Sequence, residues 1–235
     1  EVFMRQRRLA EALEVMQEFG EQDPGNRKVP DFLKHLDGLK KLEQRRTELE
    51  QKMKSGQLDL NSALELAHVY QQSRMMPQLL GIASSLLKND TLPPVAAYRL
   101  GKTLSNAGRH REAADALDRC LDKLPENTPP NVYLDIARMF AKAKRMDGME
   151  EAMGVYLKRK PSDWKAWLDL ASVQMSQRKT NEAMRALEQS VRVGGEEAVN
   201  VLKGDARFQP YLPRIMSRSR SRINIPGLPE MPTGR

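Results

Sequence analysis

Apolar residues recur along the chain at intervals of close to 34 residues. Ala63 precedes Ala97 by 34 residues and Tyr133 precedes Trp167 by 34, while Ala97 and Tyr133 are 36 apart. Within each interval, apolar residues stand three or four positions apart, which is the spacing of one face of a helix. A repeat of this length predicts pairs of antiparallel helices that stack, because one pair alone cannot bury its apolar face.

The spacing therefore predicts an all-α fold built from antiparallel helix hairpins, with its regular part in residues 59–195. Four hairpins divide this part, at about 60–93, 94–129, 130–163 and 164–195. Residues 1–24 read as the second helix of a truncated hairpin, so we expect the chain to be a fragment of a longer protein. A capping helix and turn are predicted over 196–213, because a terminal repeat otherwise exposes its stacking face.

Residues 25–58 interrupt the regular series. A loop is predicted around Gly25 and Pro30, followed by a helix that starts at an N-capping Asp31 and ends at Lys54. Two alternatives remain for this helix. We favour one long helix, and the other is a degenerate hairpin with its turn near Gly38.

Small residues stand at the offsets where two antiparallel helices of one hairpin approach most closely. Large apolar residues a few positions away fill the space between neighbouring hairpins. This pattern resembles the tetratricopeptide repeat family, which implies a right-handed superhelical solenoid. The residues predicted to pack the repeats are Ala67, Leu100, Gly101, Ala113, Tyr133, Ala137, Trp167, Leu170, Ala171 and Ala183.

The resemblance also implies a concave groove lined by the first helix of each hairpin, where a peptide segment or helix would bind. The candidate groove residues are His68, Tyr98, Arg99, Lys102, Asn106, Asn131, Arg138, Lys142, Lys165 and Asp169. Five of them are basic, so this side of the groove suits an acidic peptide or a free C-terminal carboxylate. The family's carboxylate clamp is not matched, because Leu64 and His68 occupy the two clamp positions of the first such helix.

A second resemblance concerns the arrangement of the whole chain. The leucine-rich helix before the repeats and the GDARFQPYL segment after them are similar to the C-terminal repeat regions of some large bacterial membrane proteins. In those proteins a multi-spanning part resembles lipid-linked sugar transferases. This alternative implies a structural or regulatory extramembrane appendage of a larger enzyme.

Residue patterns typical of catalysis are missing from the sequence, so we predict no enzyme, cofactor or metal site. The three histidines, His35, His68 and His110, show no metal-binding spacing, and no phosphate-binding glycine loop occurs. Cys120 falls on a core-facing helix position and is expected to be a buried apolar side chain. Since there is only one cysteine, no internal disulfide can form, which mildly favours the cytoplasm.

The net charge of +8 is concentrated at the C-terminus. Five arginines and one glutamate follow from Arg214 onward, so half of the excess lies in this segment. Residues 214–235 are expected to form a basic, flexible tail, and weak nucleic-acid association through it is the third functional alternative. The oligomeric state is left open by the sequence. No apolar run is long enough to span a membrane.

Overall fold

A computed structural model describes the backbone of residues 9–220 and the side chains of residues 9–217. This part of the chain is helical and contains no strand, as the all-α prediction requires. The α-helices are α1 Leu9–Gln22, α2 Lys28–Lys54, α3 Leu60–Gln72, α4 Met76–Leu87, α5 Pro94–Asn106, α6 His110–Asp118, α7 Pro130–Lys142, α8 Met146–Arg159, α9 Trp164–Ser176, α10 Thr180–Gly204 and α11 Leu212–Arg220.

The described part of the chain forms two compact units. Unit 1 contains residues 9–92 and 106–108, and unit 2 contains residues 93–105 and 109–220. The sequence pattern grouped all four regular hairpins, 59–195, into one array, whereas the first of them, α3–α4, lies in unit 1. Polar contacts join this hairpin to α2 within unit 1. Arg45 donates to both carboxylate oxygens of Glu65 at 2.6 Å, and the Tyr70 hydroxyl donates to Glu50 at 3.1 Å.

Residues 28–54 form one continuous helix, with Gly38 in its interior. The helix begins earlier than the sequence indicated, because Arg27 is the N-cap and Asp31 lies within the first turn. Pro30 also stands in this first turn rather than in the preceding loop. A proline is tolerated there because N–H groups of the first turn have no partner within the helix.

Unit 2 contains three hairpins, α5–α6, α7–α8 and α9–α10. A Cβ on Gly101 of α5 would lie 3.0 Å from the Leu117 side chain of α6, so the small residue permits this close approach. All the residues predicted to pack the repeats are buried except Trp167. Trp167 is half-buried, and its indole N–H donates to the Pro161 carbonyl at 3.0 Å. Its neighbour Trp164 instead packs against Gly194 of α10.

The turn inside each regular hairpin places one residue in the left-handed region. The φ angles are 56° at Arg74, 76° at Gly108, 59° at Lys144 and 61° at Arg178. In each case the following N–H reaches back to close the first helix, as with Arg145 to the Phe140 carbonyl at 2.9 Å. This geometry recurs with the spacing of the apolar repeat and ends each first helix in the same way.

Glycine substitutions at these turns should stabilise the protein, because side chains other than glycine are strained at positive φ. We expect Lys144→Gly and Arg178→Gly each to raise the free energy of unfolding by about 0.5–1 kcal/mol. Gly108→Ala, at the equivalent turn, should lower it by a similar amount. Urea denaturation of the three variants checks this, and a Lys144→Gly variant no more stable than the parent would contradict it.

The C-terminal end of unit 2 is ordered further than the sequence indicated. Helix α10 is kinked at Gly195, which has φ 55° and ψ −131°, and it continues to Gly204. Phe208 is 2% exposed and Ile215 is fully buried, so both belong to the core of this end. Residues 214–220 belong to helix α11, in which Ile215 is buried, whereas the sequence predicted a flexible tail from Arg214 onward. The rest of that predicted tail, 221–235, lies outside the described residues.

Candidate functional site

The first helices of unit 2 present a polar surface, which we call the first-helix face. Its residues lie on the sides of α5, α7 and α9 that turn away from the hairpin cores. The side chains of Tyr98 and Asp135 are half-buried, whereas the other residues of the face are exposed. The face comprises Tyr98, Arg99, Lys102, Asn131, Asp135, Arg138, Lys142, Lys165 and Asp169.

Two further candidate groove residues, His68 and Asn106, belong to unit 1. His68 lies exposed on α3, where its Nε2 is 3.1 Å from the side-chain nitrogen of Gln72. Asn106 is the last residue of α5 and is exposed. Both residues lie outside unit 2, and the first-helix face is built from unit 2 alone.

Asp135 is the centre of the first-helix face. The Tyr98 hydroxyl donates to its Oδ2 at 3.4 Å, and the Lys102 Nζ lies 3.8 Å from the same oxygen. On the other side, the Arg138 Nη1 lies 3.6 Å from Oδ1. Burial, with the nearby Asp135 carboxylate, raises the pKa of Tyr98 to about 12, so the phenol stays protonated and remains a donor. Three donors from two hairpins therefore converge on one carboxylate.

A second acidic group follows on α9. Loss of water around its carboxyl raises the pKa of Asp169, the charge of Asp163 adds to this rise, and Arg138 opposes it. Asp163 accepts a hydrogen bond from the Tyr156 hydroxyl at 2.7 Å and caps α9 through the Ala166 N–H at 3.1 Å. The face is therefore mixed in charge rather than uniformly basic.

Asp163 and Tyr156 were not among the residues selected from the sequence. Asp163 stands directly before the first residue of α9, which is a typical N-cap position and the signal that could have identified it. Tyr156 belongs to a second helix, α8, so no rule based on first-helix positions would include it. Lys165 is the basic residue that α9 contributes to the face. Its Nζ lies over the Trp164 ring, 5.5 Å from the ring centroid.

The chemistry of Cys120 matches its buried position. Burial raises the pKa of its thiol to about 12, and the thiol donates to the Leu117 carbonyl at 3.2 Å. A thiol held protonated in this way is a poor nucleophile. Among the described residues, no group of three or more His, Cys, Asp or Glu side chains could hold a metal ion. No helix in the described part of the chain is long and apolar enough to cross a membrane.

Comparison with known proteins finds a family profile that matches part of the chain, and several similar solved structures. The tetratricopeptide repeat profile matches residues 95–127, which cover α5, α6 and the turn after them. A comparison with curated protein sequences finds no match.

Among solved structures, the chain is similar to the crystal structure of MamA protein, at 17% identity over 80% of this chain and 95% of that chain, with a TM-score of 0.46. It is also similar to the C-terminal part of a TPR repeat-containing protein from Cytophaga hutchinsonii, at 15% identity over 94% and 88%, with a TM-score of 0.49. A tetratricopeptide repeat protein from Parabacteroides merdae matches at 14% identity over 93% and 94%, with a TM-score of 0.41. Residues 95–127 thus match the tetratricopeptide repeat profile, and they lie within a series of helical hairpins whose inner turns all place one residue at positive φ.

Proposed function

We propose that the protein is a non-catalytic interaction scaffold whose first-helix face binds a segment of another protein through that segment's carboxylates. Stacks of tetratricopeptide hairpins act as protein-binding modules, and their extended surfaces take peptides or helices. The first-helix face offers exposed basic side chains on three consecutive first helices of one unit. Its partner would be an acidic peptide or a free C-terminus.

The observation that carries this proposal is the arrangement of donors around Asp135. Tyr98, Lys102 and Arg138 all approach this carboxylate, yet their distances of 3.4, 3.8 and 3.6 Å are longer than those of strong charge-assisted hydrogen bonds. The donors are therefore in place around an anion without being tightly engaged. Lys102 and Arg138 carry two positive charges against the single negative charge of Asp135, so the cluster keeps a net positive charge that attracts a partner's carboxylate.

The proposal predicts the effect of reversing charge on the face. A peptide display library selected on the parent protein should become enriched in Asp and Glu. The double variant Arg99→Glu, Arg138→Glu should then bind the selected peptides at least about tenfold more weakly, because two attractions become repulsions. Fluorescence anisotropy of a labelled selected peptide measures this, and circular dichroism should show unchanged helicity.

A matched control exists on a second helix. Arg185 and Arg192 are both exposed on α10, so the variant Arg185→Glu, Arg192→Glu carries the same change in net charge away from the face. It should bind the selected peptides as the parent does. Selected peptides without acidic enrichment, or equal weakening by both double variants, would show that the first-helix face is not the binding surface.

The two other functional alternatives stay predictions. The resemblance to an extramembrane appendage of a larger membrane enzyme is tested by whether the complete gene product contains membrane-spanning segments. Nucleic-acid association through the basic tail concerns a segment of which 221–235 lies outside the described residues. Replacement of Arg218, Arg220 and Arg222 by Gln, which leaves the buried Ile215 in place, should weaken any salt-dependent binding of DNA or RNA if the tail is responsible.

A further inference from the structure

Helix α1 carries an exposed apolar ridge with acidic flanks. Val15 is 48% exposed and Phe19 is 44% exposed, and their spacing of four residues places them side by side on one face. The helix contains four glutamates and no lysine or arginine. Three of these, Glu14, Glu18 and Glu21, are exposed. We call Val15 and Phe19 with these glutamates the acidic ridge.

The same unit contains an apolar groove at the far end of α2. Its volume is about 360 Å³, and no charged side chain lines it. The walls come from the end of α2 and the following loop, from α3 and from α4. Its lining residues are Met53, Leu58, Ala63, Tyr70, Gln78, Gly81, Ile82, Ser85 and Leu86. Met53 is 41% exposed, and the basic residues Lys52 and Lys54 flank it in the last turn of α2.

Gly81 lines the groove, and the packing of unit 1 does not require a glycine at this position. It lies in the interior of α4, where glycine is destabilising relative to alanine. A Cβ at Gly81 would meet no atom within 4 Å, so nothing in this unit requires the missing side chain. The groove therefore has room for a larger side chain at position 81.

The ridge of one molecule cannot reach the groove of the same molecule. A Cβ at Gly20, next to Phe19, would lie 3.0 Å from the Val29 side chain, so this end of α1 is held against the start of α2. Met53 lies 24 residues further along the continuous helix α2, which corresponds to about 36 Å. Any contact between ridge and groove must therefore join two molecules.

From the shape and charge of the two surfaces, we infer that the protein self-associates head to tail, with the acidic ridge of one copy docked in the apolar groove of the next. Val15 and Phe19 enter the groove beside Gly81, and the ridge glutamates meet Lys52 and Lys54. The two surfaces are different, so the contact is heterologous and builds an open chain or, where the rotation closes, a ring. It uses unit 1 alone and is independent of the first-helix face.

Sedimentation equilibrium on the full chain tests this inference. The parent should show an average mass that rises with concentration beyond that of a dimer. Phe19→Glu removes the ridge, and Gly81→Leu fills the groove in a space that holds no other atom. Each variant alone should weaken association at least about tenfold. Thermal denaturation followed by circular dichroism should confirm that both remain folded.

Mixing the two variants gives the sharpest test. The Gly81→Leu protein keeps its ridge and the Phe19→Glu protein keeps its groove, so an equimolar mixture should form a one-to-one dimer that does not grow further. Gly154→Leu serves as the control, since a Cβ at Gly154 of α8 also meets no atom within 4 Å and the residue lies in unit 2. A monomeric parent at all concentrations, or no dimer in the mixture, would overturn the inference.

The charges provide a second readout. Added salt should weaken association, because the opposing charges are exposed and screened. Glu14→Lys with Glu18→Lys should weaken it as well, and Lys52→Glu with Lys54→Glu in the partner should restore it. Failure of the second pair to restore binding would contradict the assigned pairing. The first-helix variant Arg99→Glu, Arg138→Glu should associate like the parent, which separates this inference from the proposed peptide binding.

Discussion

Phe140→Ala is expected to lower the free energy of unfolding by about 3–5 kcal/mol. Phe140 is fully buried, and its ring packs so closely on α8 that a Cβ at Gly148 would lie 2.9 Å from three ring atoms. The ring therefore joins the two helices of the α7–α8 hairpin. Truncation to alanine removes apolar burial and leaves a cavity, because the glycine opposite has no side chain that could move in to fill it.

Guanidinium denaturation measures this effect, and a nearby substitution serves as its control. Val95→Ala removes an apolar side chain from α5 in the same unit, but Val95 is 50% exposed. Its effect should stay within about 0.5 kcal/mol, as expected for a surface position. A Phe140→Ala variant that loses less than about 1.5 kcal/mol would show that this hairpin packs differently from the arrangement described.

Gly194→Ala is expected to be the most destabilising glycine substitution, at about 2–3 kcal/mol. A Cβ at Gly194 would lie 2.5 Å from the Trp164 Cγ and 2.8 Å from its Cβ. These atoms are close to the backbone of α9, and this part of α9 is held by the Ser190 hydroxyl, which donates to the Trp164 carbonyl at 2.9 Å. The tryptophan therefore cannot yield without moving the start of its helix.

Gly154→Ala is the matched control for this substitution. Gly154 lies in the interior of α8, and a Cβ there would meet no atom within 4 Å. Alanine favours the helix over glycine, so this variant should gain about 0.5–1 kcal/mol. Opposite signs for the two Gly→Ala variants, measured by urea denaturation, are the expected result. Destabilisation of both by the same amount would mean that helix propensity, rather than the contact with Trp164, decides the outcome.

Trp167 illustrates where the sequence pattern misleads. Its position in the repeat predicts a core residue, and on that basis its removal would rank with that of Phe140. In the structure it is half-buried, and Trp164, which the pattern does not select, makes the close contact with α10. Residues only three positions apart share a helix face, so the period alone does not decide which of them points at the neighbouring helix.

The first-helix face could be predicted only as a set of exposed positions. The repeat register identified Tyr98, Lys102 and Arg138 as residues that turn away from the hairpin cores. That Asp135 lies between them depends on the packing of α5 beside α7, which brings together residues 37 positions apart in the case of Tyr98 and Asp135. Contacts of this kind decide which charged side chains become neighbours on the face. This arrangement could not be derived from the sequences of the separate helices.

The period of apolar side chains and local turn chemistry were sufficient to predict the all-α class, the hairpin repeat and most of the residues that pack within the hairpins, with Trp167 as the exception. The tertiary structure decided in which unit each hairpin lies and that residues 212–220 are helical. Arg45 and Glu65 join the first regular hairpin to α2, and burial of Ile215 extends helical structure to Arg220. Both outcomes depend on contacts between residues distant in sequence, or on burial against another element, which a local period does not encode.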